Sequence, residues 1–462
     1  MIDNSSFRDN SGFIFYHDNK PHRVIKDSYK KEFDKLVASG LYKNLVDQGY
    51  LIPHSELSQN ESENIKTEYS FSAIYKIICP QKIPFISYPY EWNFTQLKDA
   101  AVLTLKIQEL ALKYGMTLKD ASAFNIQFIG SSPIFIDTLS FEDYKEGEPW
   151  IAYRQFCQHF LAPLALNKYG VTELTKLRQC FIDGLPLNVV SKILPWRSKL
   201  NAFLMIHLHY HAKLGNKYAS NHQPSALKKM KLSLSKNKLI GIIQHLLSGI
   251  NSMELKISKT EWTNYYEEFS YHDDAFEEKK KTISNWIDKI KPKTTWDLGC
   301  NTGIFSDIAS QHSKYTISFD KDFFALEKYS RTLNNDKILT LLLDIDNPTS
   351  SAGWANEERK SLMQRGPADL ILALALIHHL AISNNVPLNK IADFCSKCSE
   401  YLIIEFIPKQ DEQVQRLLSN RNDIFANYNE GEFIKAFSNH YKIIERHTIK
   451  GTDRIIFLMQ KV

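Results

Sequence analysis

The sequence predicts an α/β chain in three parts: a parallel-sheet domain over residues 260–462, preceded by an α+β domain over residues 1–197 and a helical linker over residues 198–259. Three observations carry that reading. At 462 residues the chain exceeds what one hydrophobic core usually serves. Its last part alternates strand-length apolar runs with helix-period segments, the pattern of a parallel sheet covered by helices. Finally, Thr295-Trp296-Asp297-Leu298-Gly299-Cys300-Asn301-Thr302-Gly303 reads as a strand entering a glycine turn at the start of a helix.

Composition narrows the class. Hydrophobic residues make up 43% of the chain and charged residues 24%, an ordinary balance for a globular protein. The net charge of +5 comes from 57 basic against 52 acidic residues, too small an excess to imply nucleic acid by itself. The start, Met1 to Ser6, lacks a basic region followed by an apolar one, and no apolar run reaches a membrane span. A soluble cytoplasmic protein with no membrane partner is therefore expected. Six cysteines in so long a chain do not make a disulfide framework. Cys395 and Cys398 have C-x-x-C spacing in a helical pattern with no second ligand pair nearby, which favours two buried thiols over a zinc site.

In the first part, strand-like runs fall at residues 12–16, 23–25, 73–78 and 84–88, followed by a long helix-period segment over residues 94–114. The linker is rich in Leu, Lys and Ser. It contains a polar break over residues 215–221 and a basic run over residues 228–238 that reads as a solvated helix face, since no aromatic residues interleave with the lysines. His207, His209 and His211 also lie there; on a helix only His207 and His211 share a face, which disfavours a metal site.

In the last part the strands are expected in order at residues 294–298, 316–319, 338–343, 369–374, 401–406, 441–447 and 454–460. A short turn at Lys450-Gly451-Thr452 joins the last two. In such a sheet the ligand sits beyond the carboxyl ends of the strands where strand order reverses. A glycine turn there lets a ligand approach the backbone closely, and the helix start supplies unpaired N–H groups. Only Gly299 and Gly303 are present, so there is no G-x-G-x-x-G dinucleotide fingerprint.

The Asp-Leu-Gly-Cys-Asn-Thr-Gly sequence resembles motif I of the class I S-adenosylmethionine-dependent methyltransferases, and the seven-strand pattern with a final hairpin resembles their Rossmann-like sheet. The resemblance implies S-adenosylmethionine as cofactor and assigns Asp297, Gly299, Asn301 and Gly303 to the motif, with Asp297 toward the methionine ammonium. Asp320, seventeen residues after Gly303, is implied as the acceptor for the ribose hydroxyls. A carboxylate suits paired donors because both its oxygens accept. Asp344, with Asp346 two residues on, is implied for the adenine amino group, although a turn-forming Asp before Asn347-Pro348 would look the same.

The fourth of these strands leads into Leu374-Ala375-Leu376-Ile377-His378-His379-Leu380, which faces the transferred methyl in that family. An Asn-Pro-Pro-Tyr sequence for N-methylation is absent. His378 or His379 as general base points to a hydroxyl acceptor, since imidazole titrates near neutral pH. The competing expectation is that one histidine packs or caps the next helix. Glu405, a charge inside an apolar strand, is either a second acid at the site or half of an ion pair, with Arg359 or Lys409 as candidate partners. Aromatic residues from Trp262 to Tyr266, and Tyr271, precede the first strand where that family has a lid. No metal is expected in this domain.

Upstream, Asp120-Ala121-Ser122-Ala123-Phe124-Asn125 is followed by a strand, a turn and a strand ending at Asp137. This resembles the catalytic segment of protein-kinase-like and aminoglycoside-phosphotransferase-like folds. The resemblance implies that Asp120 orients a hydroxyl, while Asn125 and Asp137 hold magnesium on the phosphates of ATP if the site is active. There is no Gly-rich phosphate loop, Asp137 is followed by Thr138-Leu139, and Arg23 with Glu32 is the nearest substitute for the strand lysine and helix acid. Residues 83–90 would form the hinge strand. The leading expectation is thus a methyltransferase acting on a hydroxyl of a glycan or small molecule, with a kinase-like domain that handles the acceptor. Alternatives are a bifunctional kinase-methyltransferase and a nucleic-acid methyltransferase, the latter suggested only by the basic run.

Overall fold

The computed structural model describes residues 2–69, 72–214, 234–258, 260, 273–419 and 421–462. They divide into two compact units. The first comprises Met1–Phe128, Ser132–Lys256 and Ala352–Arg359; the second comprises Ile129–Ser131, Ile257–Ser351 and Lys360–Val462.

The first unit opens with an antiparallel sheet of β1 (Gly12–His17), β2 (Lys20–Lys26), β3 (His54–Glu56) and β4 (Ile74–Pro80), in the order β1-β2-β4-β3. Alternation along these strands buries Phe15, Val24 and Ile77 on one face and Ile25 and Ile78, with Tyr29 and Phe33, on the other. The expected strand over residues 84–88 does not form. Pro84 and Pro89 lack N–H groups, Pro89–Glu91 is a short 3-10 turn, and the backbone of Ser87 is paired with the Gln127 side-chain amide instead of a strand. The hinge expected over residues 83–90 is therefore not a strand.

The helix Phe94–Lys113 starts at Asn93, whose side chain accepts from the Gln96 amide, and it buries Leu97, Ala101, Leu105 and Leu112. It leads into β5 (Met116–Leu118), paired antiparallel with β8 (Phe141–Asp143), while β6 (Ile126–Ile129) and β7 (Ser132–Phe135) form a two-stranded sheet between them in sequence.

The linker expected over residues 198–259 is not a separate element. Its helix Lys236–Asn251 belongs to the first unit, where Leu239, Ile243, Leu246 and Ile250 bury one helical stripe. Lys98 ties it down by donating to the carbonyls of Asn251 (2.8 Å) and Met253 (2.9 Å). The polar break over residues 215–221 and the aromatic residues Trp262 to Tyr266 and Tyr271 lie outside the described residues, as do residues 228–233 of the basic run.

The second unit is built on one sheet: β9 (Thr294–Leu298), β10 (Tyr315–Asp320), β11 (Ile338–Leu342), β12 (Ala368–Ala373), β13 (Ser399–Phe406), β14 (Tyr441–Thr448) and β15 (Ile455–Lys461). Their order is β11-β10-β9-β12-β13-β15-β14. The first five strands in this order run parallel; β15 is antiparallel to both β13 and β14. Near-continuous burial along β9 to β13 matches strands covered on both faces. One cover is a cluster of Ile283, Trp286 and Phe305 against Leu370, Leu372, Ile403 and Ile456. Strand order reverses between β9 and β12, which places a crevice beyond their carboxyl ends. No helix among the described residues is long and apolar enough to cross a membrane.

Candidate active site

At that crevice the chain leaves β9 through three residues with positive φ: Gly299 (83°), Asn301 (52°) and Gly303 (85°). The turn folds back on β10, because the amides of Gly299 and Cys300 both donate to the Phe319 carbonyl (2.8 and 2.9 Å). Gly303 opens the helix Ile304–His312, and a Cβ there would stand 2.0 Å from the Tyr329 ring. Here the glycine is needed for both its φ and its missing side chain.

Asp320 ends β10 with its carboxylate held by two amides, Asn301 N–H at 2.6 Å and Asp322 N–H at 2.8 Å. Burial nevertheless pushes its carboxyl up to about 6, because these amides and the neighbouring Lys321 charge do not offset the desolvation. Asp297 is 2% exposed and accepts the Ser306 hydroxyl at 2.6 Å; burial pushes it up to about 7.

These elements border an open pocket of about 820 Å³ counting its mouth. Gly299, Asn301, Asp320 and Asp344 line it, with His379. Two expected cofactor residues do not. Asp297 is sealed beneath the turn against Ser306, and Gly303 is spent on packing with Tyr329. Leu376 and Leu380, from the segment expected to face the transferred methyl, line it as well, together with Lys321 and Asn384, which no motif had marked. Lys321 directly follows β10, whereas Asn384 comes after the His379–Ser383 turn, where no sequence signal marks it.

The catalytic candidates separate sharply. His379 lines the pocket, and burial lowers its imidazole to about 4. His378 is 1% exposed and does not line the pocket; its ring lies 4.1 Å from that of His379, and burial drives it well below its usual range. Glu405 is fully buried and does not reach the pocket either. It takes neither expected partner: its ion pair is with Lys279 at 2.7 Å, whereas Lys409 pairs with Asp423. The same carboxylate accepts the Ala375 N–H at 2.8 Å, and Ala375, at φ 49°, lines the pocket. Glu405 is thus a brace under the pocket floor.

In the first unit, pairing of β5 with β8 gathers the other candidate set. Asp120 accepts from Ser122 N–H (2.9 Å) and Gln155 (2.8 Å), and burial raises its carboxyl. Asn125 donates to Ser140 at 3.2 Å. Asp137 is engaged by the Ser140 hydroxyl, by Leu139 N–H at 3.1 Å and by Arg23 at 2.5 Å. Arg23 also reaches Asp9, so the expected pairing with Glu32 is replaced. Among the described residues no three His, Cys, Asp or Glu side chains converge as a metal site requires. His207 bonds Tyr153 and His245, and His209 bonds Ser191 and Ser198, all within the fold. Cys395 and Cys398 are buried free thiols.

The order and directions of the strands in the second unit define a methyltransferase-like α/β fold. Over 461 residues the chain is 34% identical to the nodulation protein NoeA of Rhizobium meliloti (strain 1021), a match covering 99% of this chain and 95% of that protein. The chain belongs to the NoeA family. Solved structures similar to it include the N-methyltransferase NodS from Bradyrhizobium japonicum WM9, at a TM-score of 0.31 and 14% identity over 41% of this chain and 98% of that one. Another is magnesium protoporphyrin IX methyltransferase (ChlM) from Synechocystis PCC 6803 with bound SAH, at 0.29 and 14% over 41% and 84%. No family model matches the chain.

Proposed function

We propose that the chain is an S-adenosylmethionine-dependent methyltransferase that methylates a hydroxyl of a saccharide or small molecule. The observation that carries this reading is the meeting of Gly299, Asn301, Asp320, Asp344 and His379 in one pocket at the reversal of strand order. The donor set fits the cofactor. Asp320, desolvated beyond what its neighbours offset, gains from the two ribose hydroxyls as paired donors, and Asp344 offers an acceptor for the adenine amino group. Leu376, Leu380 and Ile345 supply apolar walls for the base.

When bound, the cofactor supplies an electrophilic methyl on a positively charged sulfur. The chain's own work is to align the acceptor, exclude water and take up a proton. His379 is placed for the last task because it lines the pocket and burial keeps its imidazole unprotonated at physiological pH. Calorimetric titration with S-adenosylhomocysteine tests the reading: wild-type binding and its loss in Asp320→Ala are expected. Unchanged affinity in the variant overturns the ribose assignment, and no binding to the wild type overturns the methyltransferase reading.

A second reading, the bifunctional enzyme, starts from the cluster of Asp120, Asn125 and Asp137. The residues present do not fit a magnesium-bound nucleotide, because Arg23 already neutralises Asp137 and Ser140 occupies both Asp137 and Asn125. We therefore read the first unit as kinase-like without phosphotransfer, in the service of acceptor recognition. ATP with magnesium should leave the melting temperature unchanged; a magnesium-dependent rise would restore the bifunctional enzyme. Steep salt dependence of binding to RNA would favour the nucleic-acid alternative instead.

A further inference from the structure

We propose that the first unit carries a membrane-surface contact: the outer side of residues 187–210 docks on the anionic face of a lipid bilayer, with Trp196 and Leu200 entering the headgroup layer. The inference goes beyond the methyltransferase reading and does not depend on it. Among the described residues twenty large apolar side chains are exposed, and seven of them fall between Val189 and Tyr210. Single exposed apolar residues are ordinary on a protein surface, whereas a concentration of them marks a contact. Trp196 and Leu200 are each 73% exposed, which leaves most of an indole in water.

Three short elements present these side chains: the helix Leu187–Ile193 and the turns Trp196–Leu200 and Met205–Tyr210. Each is anchored by its buried side, the helix through Leu187 and Val190, the first turn through Ser198 and the second through Leu208 and His209. The His209 imidazole locks the three together, its Nδ1 bonding the Ser191 hydroxyl at 2.8 Å and its Nε2 the Ser198 hydroxyl at 2.9 Å. Only Leu194 and Pro195 separate Ile193 from Trp196. The exposed residues therefore sit on a fixed scaffold, so a partner meets them without first having to order a loop.

Charge identifies the partner. Between Asp183 and Glu254 the sequence has no Asp or Glu, although the whole chain has 52 acidic residues. The exposed charged residues of the three elements are Lys192, Arg197 and Lys199, all positive and interleaved with Ile193, Trp196 and Leu200. Nucleic acid would meet the charge but leave the aliphatic side chains in water, and a neutral protein surface would leave three cations unmatched. A second copy of the chain would set these cations against one another. An anionic bilayer meets both demands: indole and aliphatic groups enter the interface, while long basic side chains lay their stems along it and keep their heads at the phosphates. No helix among the described residues is long and apolar enough to cross a membrane, so the contact lies on the surface. The expectation of no membrane partner rested on the missing span and does not bear on such a contact.

The test is co-sedimentation of the full-length protein with vesicles of phosphatidylcholine alone or mixed equally with phosphatidylglycerol. Binding to the mixed vesicles is expected, with little to the neutral ones. Lys192→Glu/Arg197→Glu/Lys199→Glu should weaken it by roughly a hundredfold or more, since each basic residue near an anionic surface contributes about a factor of five. Trp196→Ser/Leu200→Ser should weaken it by about tenfold or more. Melting temperatures should not change, because all five side chains are exposed. Tryptophan emission should shift to the blue on binding, and Trp196→Phe should remove that shift. No binding to mixed vesicles, equal binding to neutral ones, full binding by either variant, or a blue shift that survives Trp196→Phe overturns the proposal. Tighter binding to polyuridine RNA than to vesicles, or a dimer in solution that Trp196→Ser/Leu200→Ser abolishes, gives the face to another partner and also overturns it. None of these outcomes involves S-adenosylhomocysteine, so the methyltransferase reading stands or falls separately.

Discussion

Lys279 and Glu405 form an ion pair at 2.7 Å with side chains 3% and 0% exposed, and the same carboxylate anchors the backbone of Ala375 in the pocket. Burial by itself raises the Glu405 pKa, but the Lys279 and Arg454 charges outweigh it and hold the carboxyl below its usual value. Removing Lys279 leaves a charge buried without its partner. Lys279→Met is expected to cost about 3–5 kcal/mol of stability in urea unfolding, and Lys279→Met/Glu405→Gln considerably less. Because Glu405 binds its proton less readily in the folded protein, its contribution is present above the unfolded value of about 4.3 and is lost as pH falls below it.

Asp320 carries the opposite sign. Its folded pKa is about 6 against 3.8 for an unperturbed aspartate, so between these values the folded protein holds more protons than the unfolded one. Stability of the ligand-free protein should therefore fall as pH rises from 4 to 7, by on the order of 3 kcal/mol for this group. Asp297, raised to about 7, adds to the same trend. Asp320→Asn should flatten the profile measured by thermal melting across that range while weakening S-adenosylhomocysteine binding; a steeper profile would contradict the assignment.

His379→Ala is expected to lower kcat by roughly 10²–10⁴-fold with S-adenosylhomocysteine affinity little changed. Its imidazole is held near 4, so the pH–rate profile should show no limb near 6.5. A limb at that pH abolished by the substitution would mean that the imidazole titrates normally. His378→Ala, in contrast, removes a buried ring and should register in unfolding rather than in turnover alone.

Gly303→Ala combines a φ of 85° with a Cβ 2.0 Å from the Tyr329 ring. Loss of at least about 2 kcal/mol is expected, with weakened S-adenosylhomocysteine binding as the turn shifts. Tyr329→Ala in the same chain removes the obstacle but not the backbone cost, so only partial recovery should be seen by calorimetry.

How much of this was legible depends on whether the cause is local. The strands of the second unit and the turn at Gly299 to Gly303 follow from apolar periodicity and from glycines placed after a strand, both properties of neighbouring residues. The choice between His378 and His379 is not local, because adjacent side chains differ only in which one faces the core. Lys279 as the partner of Glu405 lies 126 positions away, and nothing in the spacing could point to it. The false strand over residues 84–88 arose because Phe85 and Tyr88 are buried as in a sheet, while the Ser87 backbone is satisfied by the Gln127 side chain and the Ser87 hydroxyl by Trp92 without a ladder.

Ala375 occupies a left-handed conformation that a residue with a Cβ adopts only at a cost, and its amide is fixed by Glu405, itself answerable to Lys279. In evolutionary terms this makes three positions a single unit of inheritance. Position 375 can drift to Gly or Asn but not to a β-branched residue, and positions 279 and 405 are expected to change only together.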